Sequence, residues 1–382
     1  MKLSEPLTIQ GMTMKNRLVM APMEVGVGLR SARARAYYRE RAQGEVGTII
    51  CAAVAADFFA SDEAWGKTGG LASFIDGVSL LTQEVHQAGA KIGIQIWYGN
   101  RYPAYMGLRQ SGERVAPSPR AGKTERWEEV GLMREFTPAE ITHIVESFAK
   151  GAAGVREAGF DFVELHGAHG YLLNQFFSPR FNQRKDNYGG SLENRMHFGQ
   201  ECVAAVRKAV GAHYPIFYRL GAWEQEPGGV VLEESTVFAW SLVEAGVDCV
   251  DVSVSFTPGT PSKSAPLKKA PMGTFAWVAA EIKKAVSVPV IAVGRINSHK
   301  VAEEILNEGK ADLVAQGRQL VANPLWMAKV ATGRFREIVA CNSCNKECFG
   351  QQSGEAFGCN LNPRAGREYE LPLAEATPPT AS

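Results

Sequence analysis

Four cysteines lie close together near the C-terminal end of the chain. Cys341, Cys344, Cys348 and Cys359 have the spacing C-x2-C-x3-C-x10-C. Thiolates at such short intervals can bind a metal ion or an iron–sulfur cluster, and a cluster would allow the protein to transfer electrons. Zinc is the alternative that the spacing alone leaves open. Disulfides are disfavoured in the cytosol, so clustered cysteines in a cytosolic chain more often bind metal.

A second group of polar side chains follows a short apolar segment in the middle of the chain. His166, His169 and Tyr171 belong to the run HGAHGYLLNQFFSP, which begins at the end of DFVELH. Two imidazoles can donate hydrogen bonds to a carbonyl or carboxylate oxygen and polarise it, and a nearby phenol can supply a proton. Two alternatives remain open: structural loop histidines, or a zinc site, although no third ligand is evident.

Two Gly-Arg pairs end the last two apolar segments. Gly294 and Arg295 follow PVIAV, and Gly317 and Arg318 follow DLVAQ. Glycine lets the backbone approach a ligand closely, and its amides together with the start of the next helix can bind a phosphate. The repetition of the pair predicts a phosphate site.

The segment FNQRKDNYGGSLENRMHF (181–198) predicts a tight turn that enters a helix. We expect Glu193 and Arg195 to stabilise this turn by forming an ion pair. We therefore interpret the segment as scaffold rather than as part of the catalytic machinery.

The elements that position these residues repeat eight times. Short apolar segments, typical of buried parallel strands, alternate with segments long enough for crossover helices. The eight predicted strands are residues 17–21, 47–54, 91–97, 161–166, 215–220, 248–254, 289–293 and 312–316. This pattern predicts an α/β fold, a (β/α)8 TIM barrel with a C-terminal cysteine-rich extension. The alternative is a doubly wound open sheet, but no Gly-rich dinucleotide fingerprint follows the first strand.

Helix signals and composition shifts divide the chain. Thr137 and Glu140 form a capping-box pattern at the start of a predicted helix over residues 137–159, and two further helices, 231–246 and 298–309, end at glycine. Residues 98–136 are predicted to form a long loop on the C-terminal face of the barrel, where active sites form. The predicted domains are a barrel over 1–334, a cluster-binding extension over 335–368 and a disordered tail over 369–382.

Composition excludes several classes of protein. The 382 residues are 45% hydrophobic and 21% charged, with a formal net charge of +1, which argues against nucleic acid or an anionic membrane as the main partner. The start, MKLSEPLTIQGMTMKNR, lacks the apolar region of a secretory signal, and no apolar run reaches the roughly 18 residues of a membrane span. We expect a cytoplasmic protein in which Cys51, Cys202 and Cys249 are buried thiols.

The motifs together resemble the old yellow enzyme family of FMN-dependent oxidoreductases, over about residues 5–368. The cysteines and NPRAGRE (362–368) narrow the resemblance to the iron–sulfur branch that includes 2,4-dienoyl-CoA reductase, 2-enoate reductase and trimethylamine dehydrogenase. In that branch an FMN barrel is followed by a [4Fe–4S] site. The resemblance rests on NRLVMAPM (16–23), QIWYGNRY (95–102), HGAHGYLLNQFFSP, RKDNYGGSLENR, Arg219 and the two Gly-Arg pairs.

The resemblance implies that FMN lies across the mouth of the barrel. Pro22 and Met23 would line the flavin ring, and the small residue Ala53 would leave room for it. Gln95 would hydrogen-bond the pyrimidine end, and Arg219 would place positive charge near flavin N1. The two Gly-Arg pairs would bind the phosphate.

The resemblance also implies roles for the other candidate residues. His166 and His169 match the pair that binds the activating group of the substrate, and Tyr171 matches the proton donor of ene-reductases. The four cysteines would bind a [4Fe–4S] cluster, and NAD(P)H would serve as the reductant.

Three departures from the family pattern alter these expectations. Tyr98 stands where the family often has histidine, and no histidine follows the sixth strand, which argues against a dienoyl-CoA substrate. EVGVGLRS (24–31) lacks the cysteine that attaches the flavin covalently in trimethylamine dehydrogenase, so we expect a non-covalent flavin.

Three functions follow as hypotheses. The first is an ene-reductase, which reduces an activated C=C bond of a small α,β-unsaturated carbonyl or carboxyl compound. The second is a dehydrogenase that oxidises the C–N bond of an N-methyl amine or betaine, and the third is an electron-transfer subunit. The relatives continue into nucleotide-binding domains whereas this chain ends at Ser382, so we expect either an electron-transfer protein as partner or a cluster that only fixes the tail to the barrel. The sequence is also compatible with assembly into a homo-oligomer.

Overall fold

Eight parallel strands close into a barrel in which each strand pairs with the next along the chain, and the last pairs with the first. This computed structural model describes residues 1–56, 70–98, 115–123, 129–255, 270–348, 356–371 and 373. The barrel strands are β3 (Leu18–Met20), β4 (Thr48–Ala55), β5 (Lys91–Trp97), β9 (Phe162–Gly167), β10 (Ile216–Glu224), β11 (Cys249–Ser255), β12 (Val290–Val293) and β13 (Leu313–Gln316). The predicted TIM barrel is confirmed. The predicted strands differ from these bounds by one residue at most, except that β10 continues to Glu224.

Helices cover the outside of the barrel. Among the described residues they are α1 (Ala32–Gln43), α2 (Gly70–Gln87), α3 (Pro138–Glu157), α4 (Leu172–Phe177), α5 (Leu192–Val210), α6 (Leu232–Ala245), α7 (Ala276–Ala285), α8 (His299–Asn307), α9 (Arg318–Ala322) and α10 (Trp326–Ala331). The predicted capping box begins α3: Thr137 Oγ1 accepts from the Glu140 amide at 3.3 Å, and Glu140 Oε2 accepts from the Thr137 amide at 2.8 Å. None of the described helices is long and apolar enough to cross a membrane.

The N-terminal end of the barrel is closed by a hairpin that the sequence reading missed. Its strands are β1 (Leu7–Ile9) and β2 (Met12–Met14), which pair antiparallel. Ile9, Met12 and Met14 pack in one buried cluster with Phe162 and Phe217, whose rings stack at 4.3 Å inside the barrel. With this end filled by apolar side chains, a ligand can enter only from the opposite, C-terminal end of the strands.

Part of the predicted long loop over residues 98–136 forms a small sheet instead. Its strands are β6 (Val115–Ala116), β7 (Arg120–Lys123) and β8 (Glu129–Glu135), in the order β6-β8-β7. The shortest strand has only two residues, too few for an alternating pattern to be recognised in the sequence. Residues 99–114 and 124–128 of the predicted loop lie outside the described residues.

The predicted ion pair between Glu193 and Arg195 was wrong. Arg195 Nη2 lies 2.6 Å from Glu234 Oε1 on α6, and Arg195 Nη1 donates to the Phe177 carbonyl at 2.7 Å. Residues two apart on a helix do not face each other, so this side chain turns to the neighbouring helix. The turn is stabilised instead by Asn194, whose Nδ2 donates to the Gly189 carbonyl at 3.0 Å.

The cysteine-rich extension lies against α1 and α9. Arg41 is fully buried and donates to Glu368 Oε1 at 2.6 Å, and Arg364 donates from two nitrogens to the carboxylate of Glu40. Asn362 Nδ2 also donates to the Val321 carbonyl at 2.8 Å. Of the predicted disordered tail, residues 372 and 374–382 lie outside the described residues.

Candidate active site

Alternate residues of the middle barrel strands face the interior in layers. Phe162 and Phe217 form the apolar layer above the hairpin. Two residues further along their strands follow Glu164 and Arg219, and two residues beyond Glu164 comes His166. Because side chains alternate along a strand, these residues point to the same side as the phenylalanines. The barrel interior therefore changes from apolar to polar toward its C-terminal mouth.

The polar layer is a network of hydrogen bonds and charges. Gln95 Nε2 donates to Glu164 Oε1 at 2.7 Å, and Arg219 Nη1 donates to Asp251 Oδ2 at 2.6 Å. Arg219 Nη2 lies 3.5 Å from Ser253 Oγ. Burial, and then the charge of Asp251, raise the pKa of Glu164 well above its usual value. The layer places Gln95 and Arg219, both predicted flavin-binding residues, side by side with buried acids.

Sequence reasoning missed Glu164, Asp251 and Ser253. The segments DFVELH and DCVDVSV are mostly apolar, and each contains two isolated acidic residues, so both are interpreted as buried parallel strands. The available signal was the alternation itself. Glu164 stands two residues before the candidate His166, and Asp251 and Ser253 stand two apart on β11.

The predicted catalytic group is brought together at the end of β9. The ring centroid of His166 lies 5.1 Å from that of His169 and 4.7 Å from that of Tyr171, and Trp97 lies 4.7 Å from Tyr171 on its other side. His169 Nε2 lies 2.7 Å from Ser253 Oγ. The mouth of the barrel thus presents two imidazoles and a phenol to one small region.

Burial makes both imidazoles reluctant to take a proton. Burial, followed by the positive charge of Arg219, lowers the pKa of His169 to about 3. The pKa of His166 is lowered well below its usual value by burial first, and then by His169 and Arg219. Both rings are therefore neutral near pH 7, and a neutral imidazole carries one N–H donor and one acceptor nitrogen.

Side chains of α4 support the turn that carries His169. His169 has φ +58° and Gly170 has φ +75°, so two consecutive residues adopt left-handed backbone conformations. Asn174 Oδ1 accepts from the Gly170 amide at 2.7 Å, and Gln175 Nε2 donates to the Gly170 carbonyl at 2.6 Å. Asn174 Nδ2 in turn donates to Glu224 Oε1 at 3.3 Å. These hydrogen bonds hold the turn in its left-handed conformation and offset the cost of its backbone strain.

The two Gly-Arg turns lie next to each other at the mouth. Gly294 has φ +128°, and a Cβ there would meet the Phe275 ring at 2.8 Å, so only glycine suits this position. A Cβ on Gly317 would meet Met23 Sδ at 3.0 Å, which places the loop after β3 against the last turn. Arg295 is near enough to lower the pKa of Arg318, after the larger effect of burial. Two neighbouring guanidinium groups are suited to an anion such as a phosphate.

The residues present fit the FMN that the sequence predicts. His166 Nδ1, Arg219 Nε and Arg295 Nε are buried and have no hydrogen-bond partner among the described residues, so the mouth is lined with unsatisfied polar atoms that a bound ligand could satisfy. Pro22 is half-buried beside this mouth. The backbone of Ala53 lies where the pairing of β4 with β5 shifts between Cys51 and Val54; its side chain lies outside the described residues.

Tyr98 does not join the catalytic group. Its side chain is buried, and its ring lies 6.4 Å from that of Phe148 on α3, in the layer between barrel and helix. A residue in this place contributes to packing.

All four clustered cysteines line one open pocket. Arg318 and Asn345 also line it. The four thiols are free, and Cys344 is exposed. The Ser343 amide donates to Cys341 Sγ at 3.4 Å, and Cys344 Sγ donates to Asn360 Oδ1 at 3.7 Å.

The four cysteines around this pocket form a candidate ligand set for an iron–sulfur cluster. Among the described residues no group of three or more His, Cys, Asp or Glu side chains is placed to hold one metal ion. Four cysteines that line one pocket are the ligand set of a [4Fe–4S] cluster, so the residues present fit that group.

Comparison with known proteins identifies consistent relatives. Residues 2–337 match the model of the NADH:flavin oxidoreductase / NADH oxidase family. The chain is 40% identical over 376 residues to an NADH oxidase of Thermoanaerobacter brockii, which covers 94% of this chain and 56% of that protein. It is 38% identical over 333 residues to an NADPH dehydrogenase of Geobacillus sp. strain WCH70, covering 85% of this chain and 92% of that protein.

A solved structure extends the likeness to nearly the whole chain. A 2-naphthoyl-CoA reductase in complex with 2-naphthoyl-CoA superposes with a TM-score of 0.85 and 28% identity, covering 97% of this chain and 58% of that one. The chain thus spans just over half the length of the first curated relatives that it matches, 56% in each case.

Proposed function

Because the chain belongs to the NADH:flavin oxidoreductase / NADH oxidase family, we propose that it binds FMN and reduces activated carbon–carbon double bonds. Family membership supports the predicted class, an FMN-dependent oxidoreductase. The observation that supports the finer proposal is the grouping of His166, His169 and Tyr171 at the barrel mouth, with ring centroids about 5 Å apart. The proposed substrates are α,β-unsaturated carbonyl or carboxyl compounds.

FMN would be held by the residues that line the mouth. Arg295 and Arg318 would bind its phosphate, together with the backbone at Gly294 and Gly317. Gln95 donates its amide N–H to Glu164, so its carbonyl oxygen remains to accept from the flavin pyrimidine. Pro22, Met23 and Ala53 would contact the ring, and Arg219, paired with Asp251, would place positive charge beside it.

The catalytic group would act on the substrate through hydrogen bonds and one proton transfer. FMN, when bound, supplies the hydride that adds to the β-carbon of the alkene. His166 and His169, which are neutral because burial lowers the pKa of both, donate hydrogen bonds to the carbonyl oxygen and stabilise the negative charge that develops there. Tyr171 donates its phenolic proton to the α-carbon, which completes the addition of two hydrogens.

NAD(P)H is the proposed source of the hydride for FMN. The names of the two relatives, an NADH oxidase and an NADPH dehydrogenase, support a nicotinamide reductant.

Cys341, Cys344, Cys348 and Cys359 would bind a [4Fe–4S] cluster. Such a cluster supplies single-electron transfer beside the two-electron chemistry of FMN. The thiol of Cys344 is exposed at the open side of the pocket. An electron-transfer protein that approaches this side is the proposed partner.

Replacement of Tyr171 by phenylalanine tests the proposed proton transfer. In anaerobic stopped-flow measurements, Tyr171→Phe should be reduced by NADPH at the wild-type rate, because hydride transfer to the flavin does not use the phenol. Its reoxidation by 2-cyclohexenone should be slower by about 100-fold, the usual worth of a positioned acid. The matched control is Tyr369→Phe, since Tyr369 is 61% exposed and outside the site.

Two outcomes would contradict the proposal. An unchanged rate of enone reduction in Tyr171→Phe would remove the role of Tyr171 as proton donor. If N,N-dimethylglycine bleaches the flavin of the wild-type protein and neither NADH nor NADPH does, the reductase function is wrong. The alternative, a flavin and iron–sulfur dehydrogenase that demethylates an N-methyl amine or betaine, would then take its place.

A further inference from the structure

The turn after β13 contacts two sites at once. Its first residue, Gly317, lies against Met23 at the barrel mouth, 3.0 Å from the Met23 sulfur when a Cβ is placed on it. The next residue, Arg318, lines the pocket of the four cysteines. Arg318 Nη1 donates to Asn345 Oδ1 at 2.5 Å, and Asn345 follows directly after Cys344. Two adjacent residues of one turn therefore contact the proposed phosphate site and the cysteine pocket.

The first cysteine is fastened to the same part of the barrel. Gln319, the neighbour of Arg318, accepts from the Cys341 amide at 2.9 Å and donates to the Val339 carbonyl at 2.9 Å. Asn297, two residues after Arg295, donates to the Cys341 carbonyl at 3.1 Å. Both Gly-Arg turns thus position the loop that begins the cysteine site, and Arg318 does not reach the pocket by chance rotation of a surface side chain.

Arg318 is the only cation among the described residues that line the pocket. Apart from the cysteines, the lining consists of Glu347 and of the uncharged residues Val321, Asn342, Asn345, Asn360 and Leu361. Cysteines must be deprotonated to bind iron, so a loaded site concentrates negative charge that nearby dipoles only partly offset. The guanidinium group is the natural counter-charge in this pocket.

The local electrostatics agree with this geometry. Burial lowers the pKa of Arg318, and the thiolates of Cys341 and Cys348 oppose that effect by favouring the charged guanidinium. Arg295 adds a smaller unfavourable effect. Arg318 is therefore a partly buried cation whose charge the neighbouring cysteines favour.

We propose that Arg318 belongs to the cysteine site as well as to the phosphate site, and that its positive charge makes the bound cluster easier to reduce. This inference rests on the proposed [4Fe–4S] cluster. A positive charge beside a redox centre favours the form with one more electron. Removal of that charge should shift the midpoint potential of the cluster to a more negative value.

The test uses the full-length protein with its iron–sulfur site reconstituted and compares two arginines. The cluster is titrated potentiometrically and its reduced form is followed by electron paramagnetic resonance. In Arg318→Gln, the ratio of reduced to oxidised cluster at the wild-type midpoint should fall about tenfold, as expected for loss of one nearby charge in a polar surrounding. Arg295→Gln, which removes a phosphate-site arginine that does not line the pocket, should leave this ratio within about twofold of wild type.

Two further variants keep the inference testable if Arg318→Gln fails to fold. Arg318→Lys retains the charge and should retain most of the wild-type midpoint. Asn345→Ala keeps the charge but removes the hydrogen bond that positions it, and should give an intermediate shift.

The outcomes separate this inference from the function on which it rests. If the wild-type protein takes up no iron and sulfide, the proposed cluster is wrong. If the cluster loads and its midpoint in Arg318→Gln equals that of the wild type, the cluster stands and the role of Arg318 is wrong. An equal shift in Arg318→Gln and Arg295→Gln would also overturn it, because the effect would then come from overall charge.

Discussion

At the scale of single residues, the barrel mouth combines buried charges with neutral imidazoles. Arg219 is paired with Asp251, and Glu164 beside them is buried with a pKa raised well above its usual value, first by burial and then by Asp251. Two carboxyls facing one guanidinium keep the layer close to neutral if Glu164 retains its proton. His166 and His169 stay uncharged next to that layer. Any hydrogen bond from this histidine pair to a ligand would therefore come from a neutral ring.

The neutral histidines predict a loss of stability in mild acid. The pKa of His169 is lowered to about 3 by burial first and then by Arg219, whereas an unfolded histidine titrates near about 6.5. Between these values the unfolded chain binds a proton that the folded protein does not, so stability falls as pH drops below about 6.5 and is unaffected above it. Each such histidine should remove about 1.4 kcal/mol of unfolding free energy between pH 7.5 and 5.5.

Urea unfolding at pH 7.5 and pH 5.5 measures this effect. His169→Asn should show a drop smaller than that of the wild type by about 1.4 kcal/mol, because the group that resists protonation is gone. His213→Asn, at an exposed position, should keep the wild-type drop. Equal drops in wild type and His169→Asn would show that His169 is not held neutral by the fold.

At the scale of elements, the cysteine extension is attached to the barrel by a buried group of charges. Arg41 on α1 is fully buried between Tyr37, 3.6 Å from its guanidinium, and Glu368. Arg364 of the extension pairs in turn with Glu40 of α1. None of these three contacts uses a cysteine, so the extension has its own means of attachment.

Loss of Glu368 should detach the extension. Glu368→Ala leaves the buried Arg41 without its carboxylate, which typically costs about 3–5 kcal/mol. We expect a lower melting temperature and faster cleavage by trypsin within residues 335–371. The matched control is Glu370→Ala: Glu370 is about half exposed and pairs with the exposed Arg367 at 3.0 Å, an arrangement worth under about 1 kcal/mol. If Glu368→Ala and Glu370→Ala changed the melting temperature and the rate of cleavage equally, the buried pair of Arg41 and Glu368 would not be what attaches the extension.

At the scale of the whole molecule, the hairpin fills the N-terminal end of the barrel and the cysteine pocket lies at the C-terminal end. All the candidate sites therefore lie at the C-terminal end. The apolar cluster of β1, β2 and the first barrel layer fills the N-terminal end. The catalytic group, the two Gly-Arg turns and the cysteine pocket all follow the C-terminal ends of barrel strands. Two cofactors bound there would be neighbours, joined through the turn of Gly317 and Arg318.

Removal of one cluster ligand should abolish iron binding without abolishing FMN binding. We expect Cys348→Ser to lose its iron, from about four atoms per chain to nearly none. It should retain FMN, because barrel closure and the buried pair of Arg41 and Glu368 do not depend on the cysteines. Iron and flavin content of the purified protein measure both. Cys202→Ala, in the core of α5, should keep the iron. Loss of flavin together with iron, or one zinc per wild-type chain, would contradict this prediction.

Much of the fold could be predicted because its signals are local. The eight barrel strands are short apolar segments, and the capping box of α3 is a pattern of neighbouring residues. The hairpin β1–β2 and the two-residue strand β6 were missed, because three-residue and two-residue strands give almost no periodicity. The Glu193–Arg195 pair failed because proximity in sequence was taken for proximity on a helix.

The sequence by itself determined the barrel, the family and the types of residue at the mouth, since spacing and alternation are properties of the chain. Only the tertiary structure decided which groups meet. It brought Ser253 of β11 to His169, 84 positions earlier in the chain, and Arg318 to the loop of Asn345. It also set the burial that keeps the two histidines neutral. Contacts and desolvation depend on chain segments distant in sequence, which is why the assignment of Arg318 to two sites required the folded molecule.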